Sequence, residues 1–331
     1  MGFVKNILYK VSCKRFLSLF KDQTIFPYYH LVRDNQVAHI EYLYPFKNTA
    51  QFSNDIALLK ANYTPISPKE LLDNKIPKNG FLLTFDDGLQ EIYTVIYPIL
   101  KQQNISAIFF INPDFVDNEQ GLYKHFISVI ISDLKNKNFE KDKLDQISRI
   151  FSISYDTVES FKKSLLGIKF SERDKVPEVL KLLEINPKAY LQDHKPYLTK
   201  SQIQEMIDDG FYFGGHTMTH PPLNQINHDQ QKTEIIDSVN WVKENFNLDY
   251  SLFAFPFSDK SASKKLLEEL FEYDNDLMIF GNAGIKKDIN PRIIQRFSLE
   301  DPKKDTQKRI VTENLYKYFN KLVGKYHIQR K

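Results

Sequence analysis

The sequence feature that most limits the fold is an alternation of short apolar runs with helix-like segments. Residues 81–85 form a continuous run typical of a strand that is buried on both faces. The next segment, from Ile92 to Leu100, has apolar residues at helical spacing, and residues 105–111 form another apolar run. Strand, helix and strand in this order indicate a βαβ unit, and therefore a parallel sheet or a barrel.

The alternation stops at residue 118 and resumes at residue 199. Between these points the chain is charged, has a helical pattern and lacks strand-like runs, so we predict a helical insertion over residues 118–198. The seven predicted strands cover residues 24–32, 81–85, 105–111, 211–215, 252–256, 277–280 and 292–297. Seven strands that alternate with helices favour an α/β barrel over an open sheet.

The distribution of charge divides the chain into three parts. The net charge of +3 hides a charge of +5 on residues 1–33, +7 on residues 302–331 and −9 between them. We predict a basic N-terminal helix in residues 1–23, a central domain in residues 24–301 and a basic C-terminal helix in residues 302–331. With 42% hydrophobic residues the chain has enough apolar material for one large core, which excludes a disordered protein.

Other composition features restrict the location and partners of the protein. The single cysteine, Cys13, excludes an intramolecular disulfide framework. No segment reaches the roughly 18 consecutive apolar residues of a membrane span, and lysines interrupt the N-terminal apolar residues where a signal peptide would need a continuous core. We therefore expect a cytoplasmic protein, and we expect no nucleic-acid partner.

Two polar clusters directly follow predicted strands. Residues 84–88 read Thr-Phe-Asp-Asp-Gly, and residues 214–220 read Gly-Gly-His-Thr-Met-Thr-His. Active sites of βα barrels lie at the carboxyl ends of the strands, so the clusters are expected to meet. Asp87, His216 and His220 would then supply one oxygen and two imidazole nitrogens, the ligand set of a hydrolytic metal site with an open position.

The adjacent carboxylates can divide the work at such a site. Neighbouring residues at a strand end point in different directions, so only one of Asp86 and Asp87 is expected to bind the metal. The other can act as a general base, because a metal lowers the pKa of a bound water towards about 7. The alternatives are an ordinary Asp-Asp-Gly turn and a surface pair of histidines.

Together, residues 84–88 and 216–220 resemble the first two motifs of the polysaccharide deacetylases, carbohydrate esterase family four, or NodB homology domain. The resemblance covers roughly residues 24–117 and 199–300. It implies a distorted (β/α)7 barrel that hydrolyses acetyl groups on sugars. By motif, Asp86 resembles the catalytic base, and the three ligands named above resemble the family's metal site, for which we expect Zn²⁺.

The third motif is looser. Residues 252–257 resemble its Phe-Ala-Tyr-Pro form, which implies that the backbone N–H of Phe257 helps to hold the tetrahedral oxyanion. Many members carry an arginine in this motif that orients the base, and this chain has none there. Arg296 is our candidate to orient a carboxylate instead, with a surface arginine or a purely structural one as the alternative.

The usual late Leu-x-His motif, which supplies the general acid, is also absent. However, Tyr28-Tyr29-His30 resembles the early Tyr-His motif of the poly-N-acetylglucosamine deacetylase branch. The resemblance implies that His30 is the general acid that protonates the leaving amine. The alternative is a buried histidine bonded to backbone at a strand end. The other histidines, including His39 and His125, are expected at the surface.

These features predict a metal-dependent hydrolase. Its substrate would be an acetylated carbohydrate, with N-acetyl favoured, in a polysaccharide, an oligosaccharide or a lipid-linked precursor of a surface glycan. A non-catalytic carbohydrate-binding module on the same metal-containing fold is the alternative. The basic termini favour peripheral contact with an anionic membrane at its inner face.

Overall fold

The structure is a computed structural model that describes residues 2–20 and 23–331; residues 1, 21 and 22 of the predicted N-terminal segment lie outside it. The helices are α1 Phe3–Val11, α2 Thr49–Asn62, α3 Pro68–Leu72, α4 Tyr97–Gln102, α5 Tyr123–Asn136, α6 Lys141–Phe151, α7 Val158–Leu166, α8 Val176–Leu182, α9 Pro187–His194, α10 Lys200–Asp208, α11 His228–Asn245, α12 Lys264–Tyr273 and α13 Thr306–Leu322. The strands are β1 Pro27–Tyr29, β2 Thr64–Pro65, β3 Gly80–Phe81, β4 Leu83–Phe85, β5 Ala107–Ile111, β6 Tyr212–Gly215, β7 Leu252–Ala254, β8 Met278–Gly281, β9 Ile293–Gln295 and β10 Phe297–Ser298.

The main sheet is parallel throughout and nearly closed. Its order is β10-β1-β4-β5-β6-β7-β8-β9, with β2 and β3 in a small separate pair. At one edge β9 pairs with β8, and at the other β10 pairs with β1. Only Arg296 separates β9 from β10, so one stretch of chain joins the two edges. The barrel prediction is confirmed, and the seventh predicted strand is split at Arg296.

Large aromatic side chains fill the space between the sheet and its helices. The rings of Phe85 and Phe109 stack at 5.1 Å, and the ring of Phe213 lies 5.3 Å from that of Phe109. These residues are fully or almost fully buried on neighbouring strands. All five residues of β5 are buried, as its continuous apolar run predicts. This packing fixes the strand ends that carry the polar clusters.

Two helices, α3 and α10, begin with a capping box. The Ser67 side chain accepts a hydrogen bond from the backbone N–H of Glu70, and the Glu70 carboxylate accepts one from the N–H of Ser67. The same reciprocal pair joins Thr199 and Gln202 at the start of α10. Each pair satisfies two N–H groups that a helix end leaves without partners.

The segment 118–198 is helical, as predicted, and contains α5 to α9. Its apolar side chains form a cluster of their own together with residues of the loop after β1. The backbone N–H of Leu122 donates to the Tyr197 hydroxyl at 2.8 Å, which joins the beginning of the segment to its end. The segment therefore returns to the barrel close to the point where it leaves.

The two terminal helices pack against each other. Lys5 of α1 contacts Glu313 of α13 at 2.8 Å, and the Ser12 and Thr312 hydroxyls lie 2.9 Å apart. The carboxylate of Glu313 is fully buried, so this contact belongs to the interior. None of the helices in the described ranges combines the length and apolar composition needed to cross a bilayer.

Candidate active site

Three potential metal ligands meet at the carboxyl ends of β4 and β6. One oxygen of Asp87, Oδ1, lies 3.3 Å from Nε2 of His216 and 3.1 Å from Nε2 of His220. One ligand atom from each residue fits within 4.8 Å of the others, and all three side chains are buried. This spacing leaves room for a cation between one carboxylate and two imidazoles.

The backbone around these ligands has special requirements. Asp87 has φ 74° and His220 has φ 56°, both in the left-handed region. A Cβ on Gly214 would lie 2.6 Å from the carbonyl oxygen of Leu252, and one on Gly215 would lie 2.4 Å from Oγ of Ser238. The paired glycines thus allow β7 and α11 to approach β6 closely just before the first histidine.

Hydrogen bonds hold the atoms of these side chains that face away from the other ligands. Nδ1 of His216 lies 2.8 Å from the Ala254 carbonyl oxygen, which leaves Nε2 directed at Asp87. The Tyr44 hydroxyl donates to Oδ2 of Asp87 at 2.6 Å. Within the described residues Oδ1 of Asp87 accepts no hydrogen bond. A buried carboxylate oxygen without a donor, facing two imidazole nitrogens, fits a divalent cation.

The electrostatics of Asp87 agree with a ligand role. Burial on its own would raise the pKa of this carboxyl, but the charges of His220 and His30 and the close approach of the His216 and His220 rings hold the pKa well below its usual value. Asp87 is therefore ionised at neutral pH, as a metal-binding carboxylate must be.

Asp86 points to a different partner. Two nitrogens of Arg296, Nη1 and Nη2, donate to Oδ1 and Oδ2 of Asp86 at 2.7 and 2.9 Å. Nη1 also donates to the Thr84 hydroxyl and Nε to the Gly281 carbonyl oxygen. Arg296 is fully buried, and its guanidinium lies over the ring of Tyr28 at 4.9 Å. The arginine that we predicted to orient a carboxylate thus makes a bidentate salt bridge with Asp86.

His30 pairs with a carboxylate that the sequence did not suggest. Oε2 of Glu300 lies 2.8 Å from Nδ1 of His30 and accepts the backbone N–H of the same residue at 3.0 Å. Burial acts to lower the pKa of His30, but Glu300 and Asp87 outweigh it and raise the pKa to about 10. The imidazole is therefore protonated at neutral pH and can donate a proton.

One cavity of about 780 Å³ brings the predicted side chains together, with Arg296 buried behind it. The predicted residues that line it are His30, Asp86, Asp87, His216, His220 and Phe257. Phe257 has φ 52° and is 54% exposed at the rim, with its ring 4.6 Å from that of His220. The volume is that of a typical small-molecule site.

The helical insertion forms part of this cavity. Lys124 of α5 lines the wall, and its ammonium donates to the carbonyl oxygens of Leu166 and Ile168 at 2.6 and 2.7 Å. Burial lowers the pKa of Lys124 to about 8. The insertion is thus a structural part of the site entrance.

Two of the histidines predicted at the surface are buried, which corrects that expectation. His39 and His125 are each only 3% exposed. Nδ1 of His125 lies 2.7 Å from the Tyr197 hydroxyl, and its Nε2 lies 3.4 Å from the hydroxyl of Tyr44. Burial lowers the pKa of His125 to about 3, so it is neutral. The insertion thereby supports Tyr44, which holds Asp87.

Comparison with known proteins identifies the family of the chain. A family model described as polysaccharide deacetylase matches residues 73–148 and 168–275, more than half of the chain. No curated protein sequence matches the chain.

Solved structures show the same fold. Similar structures include the Streptococcus pyogenes deacetylase PplD in complex with acetate, with 18% identity, 88% of this chain and 98% of that chain covered, and a TM-score of 0.57. IcaB from Ammonifex degensii has 15% identity and a TM-score of 0.53, and the match covers 88% of this chain and 96% of that chain. A de-N-acetylase from Aggregatibacter actinomycetemcomitans has 16% identity and a TM-score of 0.52, and the match covers 86% of this chain and 97% of that chain. At these identities the likeness establishes the fold.

Proposed function

The chain belongs to the polysaccharide deacetylase family and is a carbohydrate deacetylase, and from this premise we propose that it removes N-acetyl groups from a sugar with the help of a bound Zn²⁺. The observation that carries the proposal is that the two adjacent carboxylates contact different partners. Asp86 is held by Arg296, whereas Asp87 faces His216 and His220. One carboxylate is thus available as a base while the other belongs to the ligand set.

The proposed reaction is hydrolysis of an amide. Asp87, His216 and His220 would hold the cation, which when bound supplies Lewis acidity for the acyl carbonyl and for water. The Asp86 carboxylate takes a proton from the attacking water. Protonated His30 gives its proton to the departing nitrogen. The products are acetate and a free amino sugar.

Three further groups would assist this reaction. The backbone N–H of Phe257 would donate to the developing oxyanion, as the resemblance of its motif implies. Arg296 would keep the Asp86 carboxylate in one orientation, because its two-pronged contact fixes both oxygens. Glu300 would hold the His30 ring and keep it protonated.

The competing function is a carbohydrate-binding module without activity. Its support is the missing arginine of the third motif. Arg296 contacts both oxygens of Asp86 from another strand, which weighs against that support. A binding module would also have no need of a protonated imidazole, His30, on the wall of the same cavity.

The decisive experiment couples metal analysis to acetate release from N-acetylglucosamine oligomers and lipid-linked acetylated sugars, with and without chelator. We expect Asp86→Asn to abolish turnover while keeping the metal, because the amide cannot accept the proton. His216→Ala should lose both metal and turnover. If Asp86→Asn retains activity, the base assignment is wrong; if the wild type binds these sugars without releasing acetate, the binding-module alternative holds.

The proposal also includes the organisation and location of the protein. Residues 24–301 would form the catalytic domain with the insertion 118–198, between the basic segments 1–23 and 302–331. We place the protein in the cytoplasm, at the inner membrane face, in the assembly of a surface glycan. Peripheral contact with an anionic membrane through the basic termini is part of this proposal.

A further inference from the structure

The outer face of α1 is apolar and exposed. Phe3, Ile7 and Val11 occur at intervals of four residues and are 80%, 47% and 62% exposed. The opposite face carries Lys5, which contacts Glu313 of α13. The helix is therefore held by one face and presents a stripe of large apolar side chains to solvent.

Two more exposed apolar side chains follow in the short 3₁₀-helix Lys14–Leu19. Phe16 is 41% exposed and Leu19 is 69% exposed. The N-terminal apolar patch is defined here as Phe3, Ile7, Val11, Phe16 and Leu19. Large exposed apolar side chains concentrated in one short segment indicate an interaction surface, whereas scattered single ones do not.

The charge around the patch identifies its partner. Residues 2–20 contain four basic residues and no aspartate or glutamate. Lys10 and Arg15 are exposed within the same segment. An amphipathic helix with an apolar face and basic residues beside it lies in the interface of anionic bilayers. We propose that the N-terminal apolar patch inserts shallowly into an anionic phospholipid bilayer.

A second copy of the chain would fit this surface less well. Lys5 and Lys14 are paired with Glu313 and Asp305, but pairing two copies through the patch would still bring Lys10 and Arg15 of both copies together. A bilayer with anionic lipids covers the apolar side chains and neutralises the basic ones at the same time. The charge pattern therefore favours the lipid surface over self-association.

The patch is also linked to the region next to the active site. The Tyr9 hydroxyl accepts the backbone N–H of Asp305 at 2.9 Å, and Lys14 contacts the Asp305 carboxylate at 2.6 Å. Asp305 lies five residues after Glu300, the partner of His30. Docking through α1 would hold this part of the molecule near the membrane. The inference rests on the membrane contact in the proposed function and favours a lipid-linked glycan as substrate.

Vesicle flotation of the full chain tests this surface directly. We expect the wild type to float with vesicles of phosphatidylglycerol and phosphatidylcholine and to stay unbound with phosphatidylcholine alone. Ile7→Gln/Val11→Gln should weaken partitioning roughly tenfold per residue, because each change removes the burial of a branched apolar side chain. Lys10→Gln should weaken it about fivefold, and this part should disappear at high salt.

The matched control is Ile76→Gln/Val158→Gln, which changes two apolar residues of 37% and 39% exposure outside the patch. This variant should bind vesicles like the wild type. Equal binding by the patch variant and the control would overturn the proposal. So would a wild-type dimer that the patch variant converts to a monomer without any vesicle binding. Acetate release from soluble oligomers, measured in parallel, reports separately on the deacetylase chemistry.

Discussion

At the scale of single residues, the site depends on partners that hold each functional group in one state. Glu300 contacts the His30 ring and its backbone N–H with the same oxygen. A raised pKa means that this contact stabilises the folded protein fully below the unfolded pKa of about 6.5, and that the stabilisation is lost as pH rises through about 10. The same interaction would keep the proposed acid protonated over the neutral range.

Glu300→Gln tests this coupling. The amide keeps an acceptor of similar size but removes the negative charge, so the pKa of His30 should fall. The alkaline limb of the kcat/KM profile should move to lower pH, measured on soluble N-acetylated oligomers. Ser298→Ala is the control, since the Ser298 hydroxyl contacts Oε1 of Glu300 at 3.2 Å and its backbone N–H at 3.3 Å, whereas His30 is held by Oε2. An unchanged profile for Glu300→Gln would show that another group sets the limb.

Tyr44→Phe tests the support of the metal ligand. The hydroxyl of Tyr44 donates to Oδ2 of Asp87, and loss of such an outer hydrogen bond typically weakens metal affinity 10- to 100-fold, an effect of about 1.4 to 2.7 kcal/mol. We expect this loss in competition titrations of Zn²⁺ against a chromogenic chelator. Tyr28→Phe removes a hydroxyl group from another wall of the same cavity, and this variant should bind metal normally. Equal affinities of the two variants would exclude this positioning role.

At the scale of elements, the C-terminal tail fastens the loop that carries Phe257. The side chain of Arg330 is buried and donates to Asp259 Oδ2 at 2.6 Å and to Asp288 Oδ2 at 2.5 Å. Gln295 bridges the same two carboxylates at 2.8 Å. Asp259 lies two residues after Phe257, so the tail controls the position of this loop.

Arg330→Met should therefore affect turnover as well as stability. Two buried carboxylates lose their countercharge, and the loop after β7 loses an anchor. We expect kcat to fall with a smaller change in KM and unchanged metal content, together with a lower melting temperature. Lys331→Met is the control, because Lys331 contacts α12 through its backbone carbonyl oxygen. A lower melting temperature with unaltered kcat would show that the tail is only structural.

Elements were easier to predict than contacts. The strands and the helical insertion follow from local periodicity, and adjacent motif residues supply the proposed metal ligands. The roles of Glu300 and Tyr44 were not predicted, because their partners lie 270 and 43 positions away in the sequence and no local pattern indicates such contacts. His125 was expected at the surface, since a single histidine in an apolar helix does not reveal that a tyrosine hydroxyl will meet it.

At the scale of the whole molecule, barrel closure and the proposed base depend on the same residue. Arg296 interrupts the strand that joins both edges of the sheet, and its side chain enters the barrel. There its guanidinium contacts Asp86, which is 3% exposed. The interruption places a charge-carrying side chain where a regular strand residue would pack.

Arg296→Met should consequently destabilise the whole fold. Removing one partner of a buried ion pair leaves the other charge without compensation, at a cost of about 3–5 kcal/mol in urea unfolding at neutral pH. Adding Asp86→Asn should recover part of this loss, since a neutral amide costs less to bury than a carboxylate. Arg292→Met, a partly exposed arginine stacked on Phe271, should cost less than about 1 kcal/mol. If Asp86→Asn instead lowers the free energy of unfolding further, groups other than Arg296 stabilise Asp86. Barrel closure and orientation of the proposed base would then depend on different residues.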